Sequence, residues 1–212
     1  MKVEVWSDVV CPWCFVGKRR LESAIAAFGE PVEVEFRSFE LDPSAPRLQE
    51  GSVSEQLRVK YGWSEEQLAA MQERIKGIGA AEGLDLRVED TKRGNSFDAH
   101  RLLWLAKERG LQPELKERLM RAYFTETEAI GEPEVLQRLA VEVGLDPDEV
   151  AEVLASDRFA DDVRADELLA ARIGIGGVPF FVVGGRYAIS GAQPAELMLQ
   201  ALETASREEA AA

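Results

Sequence analysis

The residues of this 212-residue chain with the most evident chemistry are its only two cysteines, Cys11 and Cys14, set in the run Cys11-Pro12-Trp13-Cys14. Side chains three positions apart share one face of a helix. One thiol at that spacing can attack a disulfide, and the other can then attack the mixed disulfide that results. Pro12 suits the first turn of a helix, where a missing N–H costs nothing. Cys11 then falls at the helix start, where unpaired N–H groups and the macrodipole favour a thiolate. The expectation is an exposed, attacking Cys11 and a shielded, resolving Cys14, with Trp13 as a bulky, non-ionising neighbour. Joined cysteines this close would close too small a loop to staple a fold. Zinc needs about four ligands, and the two thiols with the single histidine, His100, make three. No metal site is expected.

A second segment, Gly176-Gly177-Val178-Pro179-Phe180-Phe181-Val182-Val183, puts a proline at the mouth of an apolar run. Proline lacks the donor needed inside a sheet. The residues alone leave two readings open, a trans edge proline and a tight cis turn. His100 titrates near neutrality and is a candidate acid–base group, with helix packing as the plainer alternative. Asp8, close to Cys11 in sequence, reads as a solvated turn aspartate, and Lys18, Arg19 and Arg20 read as a solvated helix face. Asn95 reads as a helix cap, and Trp63, Trp104 and Tyr123 as core.

The elements that must hold these groups follow from periodicity. Val3 and Val5 alternate with polar residues as a strand. Leu21, Ile25 and Phe28 mark a helix that stops at Gly29, and Val32, Val34 and Phe36 mark a second strand. The cysteines therefore start the helix of a βαβ unit. Residues 43–51 read as a linker, and 52 to about 173 give helical signals only. Among those signals are the capping pairs Ser52/Glu55 and Ser64/Gln67 and the first-turn prolines Pro113, Pro133 and Pro147. Phe180–Val183, a Gly184-Gly185 turn and Arg186–Ile189 then read as a hairpin. A helix opening at Pro194 follows, and the tail from Arg207 looks frayed. The chain is thus an α/β protein whose sheet unit (residues 1–50 and 156–212) is interrupted by a helical insertion (51–155).

Hydrophobic residues at 46% and charged residues at 30% are globular proportions. Acidic residues exceed basic ones by 39 − 25 = 14, which disfavours nucleic acid and anionic membranes as partners. Acidic residues interrupt the N-terminus where a signal peptide would be continuously apolar, so the expected compartment is cytoplasmic.

Three segments carry a resemblance: Ser7-Asp8-Val9-Val10-Cys11-Pro12-Trp13-Cys14-Phe15-Val16-Gly17-Lys18-Arg19-Arg20, Asn95-Ser96-Phe97-Asp98-Ala99-His100-Arg101-Leu102, and Gly177-Val178-Pro179-Phe180-Phe181-Val182 with the later Ala188-Ile189-Ser190-Gly191-Ala192-Gln193. Together they span most of the chain. It resembles the DsbA-like oxidoreductase superfamily, and most of all its FrnE-like branch. The resemblance implies a thioredoxin-like fold with a large all-helical insertion and a thiol–disulfide oxidoreductase acting on protein or small-molecule disulfides. It implies Cys11 as attacking thiol, Cys14 as resolving thiol and Pro179 as a cis-proline facing them. Val178 would offer backbone hydrogen bonds to an extended substrate, with Pro12 and Trp13 beside it. The same superfamily contains hydroxychromene-carboxylate isomerases and kappa-type glutathione transferases, whose sites centre on serine. Glutathione is therefore a candidate redox partner, with no cofactor bound permanently. A glutathione-dependent isomerase or transferase and a non-catalytic module on the same scaffold stand as alternatives, and the intact cysteine pair weighs against both. Because the insertion leaves and rejoins the sheet unit beside the thiols, it should act as a lid whose groove selects substrates.

Overall fold

The computed structural model describes residues 1–210, with backbone alone at 48–51 and 93. Two alternating apolar runs begin the sheet. β1 (Lys2–Ser7) lies parallel to β2 (Glu33–Ser38), with Val3 opposite Val34 and Val5 opposite Phe36. α1 (Pro12–Phe28) makes the crossover and ends at Gly29, whose φ of 73° is the left-handed geometry that a residue without Cβ adopts cheaply.

The middle of the chain runs β3 (Leu48–Ser52), α2 (Val53–Tyr61), α3 (Glu65–Ala81), β4 (Lys92–Gly94), α4 (Phe97–Glu108), α5 (Gln112–Phe124), α6 (Pro133–Glu142) and α7 (Pro147–Ala155). Ser52 and Ser64 accept from the N–H groups of Glu55 and Gln67, and Asp146 from those of Asp148 and Glu149, so the sequence caps are formed. The insertion is helical apart from β4, which pairs antiparallel with β3. This corrects the purely helical reading of residues 52–173 and the linker reading of 43–51. Strand β4 is three residues long and polar, so it carries no alternation to read.

α8 (Ala160–Arg172) leads back to β5 (Phe180–Val183) and β6 (Tyr187–Ser190), and α9 (Ala195–Ala210) closes the fold. The sheet order is β2-β1-β5-β6, with β5 antiparallel to both β1 and β6. Val183 lies opposite Tyr187, so the hairpin loop holds three residues, Gly184, Gly185 and Arg186, and the partner strand starts one residue later than expected. The last helix runs through Ala210, where the sequence suggested fraying from Arg207; residues 211 and 212 lie outside the described residues.

Three apolar clusters result. Val3, Val5, Phe181 and Val183 face Leu21 of α1 and Met198 and Leu202 of α9. Trp6 packs on the opposite face with Ala170 and Ile175. The largest cluster belongs to the insertion, and Val9, Cys11, Cys14, Phe15 and Val16 are part of it. Each fully buried aliphatic side chain contributes about 1.5–3 kcal/mol, so the seam at the cysteines is a principal bond between the two parts. No helix among the described residues is long and apolar enough to cross a membrane.

Candidate active site

Cys11 is the N-cap residue of α1, with extended backbone (φ −96°, ψ 113°), and Pro12 is the first helical residue. The N–H groups of Cys14 and Phe15 donate to the Cys11 carbonyl at 3.0 and 3.3 Å, which fixes both thiols on one turn. The Val178–Pro179 peptide is cis. It brings the Val178 carbonyl oxygen to 3.8 Å from the Cys11 Sγ. Gly17 permits this approach, since a Cβ there would stand 3.0 Å from the Pro179 Cγ and 3.1 Å from the Phe181 Cζ. The structure thus gathers Cys11, Pro12, Cys14, Val178 and Pro179 at one point, with half-buried Trp13 packed on the same cluster.

Cys11 departs from expectation in one respect. It is 4% exposed and Cys14 2%, so neither thiol is open. A helix start is accessible only if nothing covers it, and here the Val178 loop and the insertion's apolar cluster both do. Burial pushes the Cys14 thiol well above its ordinary value, and the hydrogen bond and charge of Cys11 push the same way; Lys116 opposes them.

Asp8 is not the solvated turn residue that its position suggested. It is fully buried. Its carboxylate accepts from the Leu41 N–H at 2.8 Å and the Val10 N–H at 3.4 Å, and lies 3.3 Å from the His100 Nε2. Burial alone would raise this carboxyl. The hydrogen bond and charge interaction with His100, the Leu41 N–H and the Lys116 charge outweigh it and hold the group below its usual value. His100 is 1% exposed, and Asp8 is the partner it meets. Asn95 accepts from the Phe97 N–H at 2.7 Å, a cap contact, and its amide also donates to Glu40.

Lys116 of α5, which no sequence motif singled out, comes close enough to Cys14, Cys11 and Asp8 to feel their charges. It is fully buried, and its Nζ donates to the Ser7 carbonyl at 3.3 Å. Burial lowers it to about 8, against the attraction of Cys14, Asp8 and Cys11. Its one signal in the sequence is position, since Leu115, Leu119, Met120 and Tyr123 lie around it on the buried face of the helix. The basic run of α1 is likewise not a solvated face. Lys18 is buried and bonds Glu22 and Glu117 at 2.5 and 2.7 Å, Arg19 also binds Glu117, and Arg20 binds Glu82 at 2.6 Å. The pairs with Glu117 and Glu82 fasten α1 to the insertion.

A cavity of about 210 Å³ opens beside Val10 and Pro12, walled by α2, α3 and α5 through Leu57, Met71, Ile75 and Phe124. Tyr123 is core and also touches this cavity, Trp63 stacks on Tyr61, and half-buried Trp104 lies under the Lys107 ammonium.

A βαβ unit joined to a ββα unit, with a dithiol at the first helix start facing a proline loop, defines a thioredoxin-like domain. The model of the DSBA-like thioredoxin domain matches residues 2–203, and the chain belongs to that family. It is 34% identical over 185 residues to the uncharacterized protein YwbO of Bacillus subtilis (strain 168), covering 86% of each chain. A probable DsbA oxidoreductase from Streptomyces coelicolor is 48% identical with a TM-score of 0.94, over 98% of this chain and 91% of that one. The cytosolic disulfide reductase DsbM from Pseudomonas aeruginosa, solved with glutathione, shares the fold at 22% identity and a TM-score of 0.69, over 98% of this chain and all (100%) of that one.

Proposed function

We propose that this protein is a cytoplasmic thiol–disulfide oxidoreductase whose Cys11 and Cys14 exchange disulfides with small molecules and with protein segments that enter extended. The observation that carries this is the meeting of the helix-capping Cys11, the Cys14 thiol one turn inside it, and the Val178 carbonyl 3.8 Å away. In the reducing direction the Cys11 thiolate attacks one sulfur of the substrate disulfide. A bond forms between Cys11 and that sulfur, the substrate S–S bond breaks, and the other sulfur leaves as a thiolate. Cys14, as thiolate, then attacks Cys11, the Cys11–Cys14 bond forms, and the second substrate sulfur leaves with its electron pair. The protein is oxidised by two electrons and the substrate reduced by two.

The nearly covered Cys11 and the cavity beside Pro12 favour narrow substrates over folded surfaces. An extended chain laid along the Val178 backbone is a form of strand addition. Glutathione is the redox partner we favour, supported by its presence in the DsbM structure. A second thiol at the helix start distinguishes this site from one that activates glutathione through a single serine.

The test is trapping. Cys14→Ala should accumulate a mixed disulfide on Cys11 that mass spectrometry detects. Cys11→Ser should lose reduction of both insulin and a small aromatic disulfide. Full turnover by the Cys11→Ser protein would refute the assignment.

A further inference from the structure

We propose that Lys116 readies the resolving thiol: its side chain holds the positive charge that Cys14 needs in order to become a thiolate, which makes Lys116 a positioning residue for the second half of the exchange. This rests on the dithiol reading above and adds a residue from the insertion to it.

The geometry is that of an under-used cation. Lys116 has three N–H donors, and among the described residues it bonds only the Ser7 carbonyl, at a long 3.3 Å, with the Phe36 ring 5.7 Å away. Among the described residues it forms no ion pair; Asp8, the carboxylate whose charge attracts it, pairs with His100 instead. Ser7 also carries a buried hydroxyl without a partner among the described residues. A buried ammonium is costly unless a negative charge faces it. The charges it feels are those of Cys14 on α1, Cys11 at the α1 N-cap, Asp8 on the loop before them, and Lys18, which repels it. Asp8 is committed to His100 and to the Leu41 and Val10 N–H groups. A thiolate on Cys14 is the charge that would complete the cluster.

Cys14 alone resists ionisation, and Lys116 at about 8 is roughly one-tenth neutral at pH 7. The two groups therefore titrate as a pair. When the Cys14 proton passes to the neutral Lys116 amine, an ammonium faces a thiolate. The thiolate attacks Cys11, the Cys11–Cys14 bond forms, the bond from Cys11 to the substrate sulfur breaks, and the substrate leaves as its thiolate. The lysine keeps the proton.

The experiment uses the reduced full chain and dithiobis(nitrobenzoate) in stopped flow from pH 6 to 10. Attack by Cys11 releases the first thionitrobenzoate and resolution by Cys14 the second, so one chromophore reports both steps. In the wild type the second phase should rise through about pH 8, following the pair. In Lys116→Met the rise should move at least one pH unit alkaline, which slows the second phase at pH 7 by about tenfold or more, while the first phase changes less than twofold. Lys116→Arg keeps a cation and should restore much of the second phase. If Lys116→Met does not fold, Lys116→Arg carries the test, and a second phase as slow as that of the wild type at pH 6 would overturn the proposal. An unmoved profile in a folded Lys116→Met protein, or equal slowing of both phases, would also overturn it. Absence of any first phase in the wild type would instead refute the dithiol reading, and the proposal with it.

Discussion

Replacing Asp8 with Ala should be among the most damaging single changes near the thiols. The carboxylate is fully buried and serves three partners: the Leu41 N–H at 2.8 Å, the Val10 N–H at 3.4 Å and His100 at 3.3 Å. Alanine leaves buried His100 and the part-buried Leu41 N–H without this acceptor, and each orphaned donor costs about 1–3 kcal/mol where water cannot replace it. The long Val10 contact adds little. The sum is about 3–4 kcal/mol. For a chain of this length each kcal/mol moves the melting temperature by about 2–4 °C, so Asp8→Ala should melt about 10 °C lower. Asp8→Asn keeps one carbonyl for Leu41 and should lose less. The pH dependence separates charge from shape. The folded-state carboxyl lies below its ordinary value of 3.8, so its contribution is fully present above that value and is lost as pH falls from there through the lower folded-state value. The stability gap between wild type and Asp8→Asn should be constant from pH 8 to about 5 and narrow progressively below about pH 4. Urea unfolding followed by tryptophan fluorescence at five pH values measures it. A gap that persists unchanged to pH 3, or an Asp8→Ala protein that melts with the wild type, would refute this account.

Two glycines make a controlled pair. Gly77→Ala in α3 meets nothing within 4 Å, so it should gain the helix preference of alanine, about 1 kcal/mol, and melt higher by about 2–4 °C. Gly17→Ala has the same preference but sets a Cβ 3.0 Å from Pro179; overpacking costs about 1–3 kcal/mol. It should melt at or below wild type and slow disulfide turnover, and equal gains in the two variants would contradict the close approach of α1 to the proline loop. Gln112 accepts from the Phe36 N–H and donates to the Phe36 carbonyl, both at 2.9 Å, on the open edge of β2. Gln112→Leu should therefore cost about 2–4 kcal/mol and speed amide exchange at Phe36, with unchanged exchange as the contrary result.

The dithiol, its helix, both flanking strands and the proline loop were legible because each is a local pattern. Capping, a 3.6-residue stripe, a two-residue alternation and a Gly-Gly-Val-Pro run all lie within a few neighbours of the residues they position. Asp8, His100 and Lys116 were not legible in the same way. Their roles depend on contacts 92 residues apart for Asp8 with His100 and 109 residues apart for Lys116 with Ser7. A local window sees a charged side chain and assigns it to solvent, which is right for most charges. Lys18 failed the same rule, because Glu117 comes to it from another element. The one clue in reach was α5 itself, where Gln112 and Lys116 stand in a helix otherwise apolar on the sides that bury them.

These long-range contacts also define what the insertion is for. A helical layer that only covered the sheet would present apolar side chains to it. Here α4 brings His100 to Asp8, and α5 brings Lys116 to the Ser7 carbonyl that ends β1 and Gln112 to the sheet edge. The ion pairs of Lys18, Arg19 and Arg20 then tie the cysteine helix to the insertion from outside. Cys11 and Cys14 belong to the insertion's apolar cluster although their helix belongs to the sheet unit. Displacing either part would therefore change the burial and the electrostatic surroundings of the thiols together. In this arrangement substrate access and thiol ionisation are not separable properties, since the same helices wall the cavity beside Pro12 and supply the charge under Cys14.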